Sequence, residues 1–400
     1  MDGMISPVPL FNSGMEVEMY YLHFYMGHCD TKNIFLSPSL EIIKEIGIEP
    51  LSIYQPIIIS INKEGLFSDL EEIFHKEPEK IIFLLSDDVL PEEPYISKIL
   101  NLKEKGFQFA FQNVTDLEIY EPILIHTNYI FINAVTIDMY HLERLLKLRR
   151  EILPKLKIIA THVENIDQFN ILRKRKISYF WGNFYQAPVS KGRTKISPLK
   201  VNLVQLINIA RNKDFDFDEI SAIIIKDAAL SFSLLQTINS VFYGLRKEIK
   251  TINHAVVILG QEEVRKWITV TATRMLGTDK PDEVTRLSLV RAKYAENLAK
   301  SFGLDNDSAS LFMMGMFSVL DIILEMEMAN VHKIIQMSDD IYDALVNQTG
   351  RFGPVLAFIK SYEMADWDAV TRAIIIHDLE VEDIYSAFVN AMGWYKSVIN

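Results

Sequence analysis

The spacing of apolar residues along this 400-residue chain changes once, close to residue 190, and that change assigns two architectures to one polypeptide. Before it, short β-prone runs at 56–61, 80–85, 107–112, 129–134, 157–161 and 178–180 alternate with stretches of helical spacing such as 94–104 and 137–150. The runs are rich in Ile and Phe without strict alternation, which suits strands covered on both faces, as in a parallel sheet wrapped by helices. Six to eight such βα units imply a barrel, and about 190 residues is short for one with a full set of outer helices. Some outer helices are therefore expected to be short or absent.

After residue 190 the strand signals stop. A polar, basic stretch around Gly192 and Pro198 reads as a linker. Helical spacing then dominates, as in Ile220, Ile223, Ile224 and Ala228, or Val264, Trp267, Ile268 and Thr271. Thr251 reads as an N-cap with Gly260 as a stop, and Ser338 and Asp366 as further N-caps. The expected division is a barrel domain over 1–190, a linker over 191–203 and a helical domain over 204–400.

The chain carries 41 Lys and Arg against 53 Asp and Glu, a formal charge of −12. That field repels phosphate backbones and argues against nucleic acid as a partner. A single cysteine, Cys29, leaves no internal disulfide, so a reducing cytoplasm is the expected compartment. The first residues lack the basic and apolar regions of a secretion signal, and no apolar run approaches the roughly 20 residues of a membrane span.

Two strings in the first part, 158–165 (IIATHVEN) and 179–188 (YFWGNFYQAP), resemble the last two strand ends of EAL domains, barrel-type phosphodiesterases of the bacterial messenger cyclic di-GMP. Residues 224–244 and 252–260 (INHAVVILG) resemble the HDOD domain, a helical relative of HD hydrolases without their metal site. The strings 312–324 and 362–367 resemble two-domain EAL–HDOD signalling proteins. The resemblance implies a degenerate TIM-type (β/α) barrel followed by a helical HDOD bundle, an α/β plus all-α chain.

It also implies where an EAL active site would lie. That family holds two divalent cations on carboxylates and an Asn at the strand ends. Aligned here, the signature glutamate becomes Tyr21 and the asparagine remains as Asn62. The third strand offers Phe83 or Ser86, the paired aspartates become Gln112 and Asn113, and a lysine and aspartate become Phe131 and Asn133. A glutamate becomes Thr161 and a glutamine Trp181. Hard cations want anionic oxygen, and amides with aromatic rings do not supply it. Phe83, Phe131 and Trp181 are expected to crowd the mouth. In the helical part, the His-Asp pair of the HD family becomes Ser318 and Val319, a position expected to be buried in apolar contacts.

Other groups have plainer readings. His28, Cys29 and Asp30 are adjacent and read as a loop; His23 reads as packed. His377 and Asp378 read as a helix end. The Met-rich stretch Met313, Met314 and Met316 with Met326 and Met328 reads as core, with a groove that receives varied partners as the second reading. Arg173–Lys176 and Lys147, Arg149 and Arg150 read as solvated faces of outer helices that can also dock an acidic partner.

The expected function is that of a catalytically inactive adaptor in a cyclic di-GMP-related pathway, with no metal or cofactor and with other signalling proteins as partners. The alternative is a metal-independent receptor in which cyclic di-GMP in the barrel regulates the HDOD domain. Partner identity and oligomeric state are left open by the sequence.

Overall fold

A computed structural model describes residues 3–26, 43, 55–74, 76–112, 114, 117–186, 198–212, 214–240 and 249–399. Eight strands close into a barrel in sequence order: β1 (Gly3–Phe11), β2 (Val17–Met26), β3 (Ile57–Ile61), β4 (Ile81–Leu85), β5 (Gln108–Gln112), β6 (Tyr129–Asn133), β7 (Lys157–Thr161) and β8 (Tyr179–Phe180). The strands from β2 to β8 run parallel, while β1 is antiparallel to both its neighbours. The six apolar runs of the sequence correspond to β3 through β8. As the short length required, the outer layer is thin on one side: among the described residues, β3 and β4 are separated by helices of four residues, Lys63–Leu66 and Leu70–Ile73, and the single turn Pro78–Lys80. Longer helices, Glu93–Glu104, Met139–Glu151 and Ile166–Lys174, cover the later strands.

β1 is the unusual strand. It pairs with β2 along its whole length but reaches β8 only through Phe11 and Phe180. Among the described residues, Gly3–Leu10 therefore present an edge without a strand neighbour. The Ile5 carbonyl on that edge accepts a hydrogen bond from the Tyr362 hydroxyl at 2.9 Å. Because backbone groups alternate sides along an antiparallel strand, Pro7 and Pro9 turn their nitrogens the same way, where no ladder bond is lost. All nine residues of β1 are buried.

The edge is covered by the end of the chain. Two compact units emerge, one of Met1–Ala187 with Lys300–Gly303 and Ala357–Asn400, the other of Pro188–Ala299 with Leu304–Leu356. This differs from a single helical domain over 204–400. The physical reason lies in what the last helices bury. Helix Val381–Ile399 packs along β1. Tyr362 is fully buried and bonded to Ile5, and Trp367 lies 5.5 Å from the Tyr25 ring of β2. Thr371 donates from Oγ1 to the Tyr25 hydroxyl at 3.1 Å. Most of the expected linker, residues 191–197, lies outside the described residues.

The second unit is helical throughout its described residues. Gly260, with φ +75°, breaks the run Ile252–Leu276 into two helices where a stop was expected. Helix Asp282–Leu298 packs closely on Ser308–Phe317, and a Cβ on Gly315 would sit 2.5 Å from the Arg291 carbonyl. Met313, Met314, Met316 and Met326 are buried, as core methionines should be. Among the described residues, no helix is long and apolar enough to cross a membrane.

Candidate functional site at the barrel mouth

The barrel is filled at mid-height by Met19, Ile58, Ile82, Leu84, Phe131 and Ile159, with Tyr21 and Trp181 packed against them. Side chains alternate along a strand, so Ser60, Asn62, Ser86, Gln112, Asn133 and Thr161 continue this inner face toward the C-terminal ends. Those ends form the mouth, where barrels of this kind carry their chemistry.

Aromatic rings occupy it. Trp181 lies 5.4 Å from Tyr21, 5.2 Å from His23 and 5.7 Å from His162 between centroids, and Phe131 lies 6.2 Å from Tyr21. The Tyr21 hydroxyl bonds Ser60 Oγ at 2.5 Å, and burial raises its pKa despite that bond. Burial pushes His23 down to about 4, and its Nε2 has no hydrogen-bond partner among the described residues. His23 is thus packed, as expected, and at the same time belongs to the site. Its place at inward spacing from Tyr21 on β2 was the signal available in the sequence.

The backbone fixes this cluster. Trp181 donates to the Ala160 carbonyl at 2.8 Å and accepts from the Val163 amide at 3.0 Å. Gly182 adopts φ +151°, and a Cβ there would fall 2.1 Å from the Val163 oxygen, so only glycine fits. His162 itself is left-handed, at φ +57°.

Phe83 does not belong to the mouth. Its ring packs against Phe74, Phe107 and Phe109, on the outer side of the sheet. β4 is buried on both faces, so its sequence carries no alternation to reveal which residues point inward. Ser86 continues the inner face at this strand. Asn113 lies outside the described residues, as do His28, Cys29 and Asp30.

The polar positions are engaged locally. Asn62 Oδ1 accepts from the Gly65 amide at 2.9 Å as the cap of the next helix, and its Nδ2 donates to Glu64 at 2.6 Å. Asn133 Oδ1 accepts from the amides of Val135 and Thr136 at 2.9 and 3.3 Å. Thr161 donates to the Ile132 carbonyl at 3.3 Å, and Ser86 Oγ bonds Ile61 and Asp88. Glu64 and Asp88, each two residues past a strand-end polar residue, are carboxylates that alignment by strand position passes over. Each holds a neighbouring side chain. Among the described residues no three His, Cys, Asp or Glu side chains group to hold a metal ion. This donor set does not fit a pair of divalent cations, which need several anionic oxygens converging on one point.

In the second unit, Val319 is fully buried and Ser318 nearly so. Their surroundings are not purely apolar, contrary to expectation. Arg291, itself buried, donates from Nη1 to Ser318 Oγ at 3.2 Å, and Ser318 donates to the Gly315 carbonyl at 2.7 Å. A guanidinium therefore lies beside the position aligned with the metal-binding His-Asp pair. His377 ends its helix and Asp378 follows in the left-handed conformation, a helix terminus as read from sequence.

Comparison with known proteins accounts for the helical unit. The HDOD domain family matches residues 196–338. This segment is an HDOD domain. Two curated relatives extend the similarity beyond it. The cyclic di-GMP phosphodiesterase CdgJ of Vibrio cholerae is 23% identical over 320 residues, 80% of this chain and 74% of CdgJ. The uncharacterized protein YuxH of Bacillus subtilis is 24% identical over 363 residues, 89% of this chain and 87% of YuxH. Among solved structures, the EAL domain of FimX from Xanthomonas citri in complex with cyclic di-GMP is similar at 10% identity and a TM-score of 0.37. That similarity covers 46% of this chain and 87% of the FimX domain.

Proposed function

We propose that this chain is a catalytically silent signalling protein of the cyclic di-GMP pathway, in which a barrel without phosphodiesterase chemistry and an HDOD domain act through contacts with other proteins. The pathway comes from similarity to CdgJ, whose name is that of a phosphodiesterase. The silence rests on Asn62. It is the one residue of the aligned ligand set that retains its type, and its carbonyl oxygen is directed at the Gly65 amide. The remaining mouth positions offer an amide, hydroxyls and rings, so no pair of cations is held to activate water. Incubating the full chain with cyclic di-GMP and Mg²⁺ or Mn²⁺, followed by chromatography of the nucleotides, tests this. The expected result is intact substrate; linear dinucleotide above a protein-free blank refutes it.

One observation favours a second reading. Trp181 and Tyr21 offer ring faces for a base to stack on, and the neighbouring His23 Nε2 is a buried group with no partner. The barrel would then bind cyclic di-GMP without metal. A ligand that binds only the folded state raises the melting temperature. A shift with cyclic di-GMP in the presence of a chelator supports this receptor, and no shift at hundred-micromolar ligand dismisses it.

A further inference from the structure

The barrel carries two oppositely charged faces. Residues 139–176, covering β7 and the helices on either side of it, hold ten Lys and Arg against four Asp and Glu, in a chain whose net charge is −12. Residues 63–93, which flank β4, hold three Lys against ten Asp and Glu. The strands close in sequence order, so the gap between β3 and β4 lies diametrically across the barrel from that between β7 and β8.

Each face is partly paired, Arg144 with Glu118 and Arg150 with Glu151 on the basic side, and Lys63, Lys80 and Lys105 with Glu64, Glu77 and Glu71 on the acidic side, yet each keeps charge without an opposite partner. Among the described residues, Lys147, Arg173 and Lys174 have no carboxylate within ion-pair distance, nor do Asp69, Glu79 and Glu92 have a cation. Arg149 and Arg175 tie the basic face together by donating to the Lys176 carbonyl at 2.7 Å and to Met139 Sδ at 2.9 Å. Each face also exposes large apolar side chains: Tyr140 and Ile171 on the basic side, Phe67 and Leu90 on the acidic side. Exposed large apolar side chains on the same elements as charged ones supply both components of a protein contact, an apolar core and a polar rim.

We propose that the occupant of the basic face is the acidic face of a second copy of this chain. Because the two faces are opposite, the contact is heterologous, and copies add head to tail rather than closing a two-fold dimer. This inference is independent of whether the barrel hydrolyses or binds a nucleotide. The whole-chain charge of −12 opposes association, so the contact strengthens at ionic strengths where attraction between touching faces outruns repulsion between whole molecules. The Debye length is about 10 Å at 0.1 M and about 30 Å at 0.01 M, which places that window near 0.05 M.

Sedimentation velocity of the full chain tests it, against the 46.1 kDa of one copy. At about 0.05 M ionic strength the weight-average mass should at least double as concentration rises, and at about 0.5 M it should return to one copy. The variant K147E/R173E/K174E and the variant D69K/E79K/E92K should each remain single, with melting temperatures like the parent. Their equimolar mixture retains one native pair of faces, the acidic face of the first and the basic face of the second, and should form a complex containing both variants. A parent that stays single at every ionic strength, association that survives high salt or either charge reversal, or a mixture that stays single would each overturn the proposal.

Discussion

The Tyr362 hydroxyl and the Ile5 carbonyl, 357 positions apart, are joined by a buried hydrogen bond of 2.9 Å. It marks where the last helices take the place of a missing strand neighbour beside β1. A sheet edge left open in this way invites pairing with other chains, and covering it with a helix is one natural remedy.

Removing that cover should damage the barrel rather than the HDOD domain. A chain ending after residue 356 keeps the second unit and the HDOD match whole and removes only the helices that belong with the barrel. Hydrogen exchange should show rapid loss of protection in β1 and β2, with helix Asp282–Leu298 protected as before. The single substitution Tyr362→Phe leaves the Ile5 carbonyl buried without a donor and should cost about 1–3 kcal/mol, read as a lower urea midpoint. Equal protection of β1 in the truncated and full chains would contradict the role given to these helices.

Gly182 and Gly260 are both left-handed but differ in their surroundings. At Gly182 an added Cβ meets the Val163 backbone at 2.1 Å, while at Gly260 nothing lies within 4 Å. Gly260→Ala should therefore cost about 1–3 kcal/mol, from backbone conformation alone. Gly182→Ala adds a clash that the backbone must move to relieve, and should exceed about 3 kcal/mol. Thermal melts of the two variants give the order directly.

His23 makes the barrel sensitive to mild acid. Its folded pKa is about 4 against an ordinary 6.5. Between those values the unfolded state binds the proton and the folded state does not, so stability rises with pH through this window and falls as pH drops from 6.5 toward 4. The full effect is about 3 kcal/mol. His23→Leu should flatten this part of the stability–pH curve, measured by urea unfolding at pH 7, 6 and 5. An unchanged slope would show that His23 is solvated.

Ser318 and Arg291 give a test in the HDOD domain. Ser318→Ala deprives a buried guanidinium of one acceptor, and bonds to charged groups contribute about 1.5–3 kcal/mol. Rebuilding the aligned pair as Ser318→His with Val319→Asp should recruit no metal, because the Arg291 cation stands beside the new ligands. Elemental analysis after dialysis against zinc or manganese should find the variant no richer in metal than the parent.

Strands β3 through β8 were legible because their apolar runs are short, rich in Ile and Phe and separated by turns. β1 was not. Its prolines at 7 and 9 argue against a strand in any sequence reading, and only the tertiary position of its edge removes the objection. The return of residues 357–400 to the barrel was also hidden, since an amphipathic helix records that it has a buried face and not which sheet that face meets. At the mouth, Asn62, Gln112, Asn133 and Thr161 stand at or just past strand ends, where a polar residue closing an apolar run is visible in the sequence. Phe83 was misplaced because a run buried on both sides gives no parity. Glu64 and Asp88 were passed over because they stand beyond the strand ends, Glu64 in the first turn of helix Lys63–Leu66 and Asp88 in a turn.

A barrel completed by its own tail also has a timetable. At about 5–20 residues per second on the ribosome, Ile5 emerges roughly 20 to 70 seconds before the tyrosine that caps it. For that interval the nascent first strand displays bare backbone to the cell, with the whole HDOD domain still to be translated. An unpaired strand edge is aggregation-prone while it waits, and any pause late in the message lengthens the exposure.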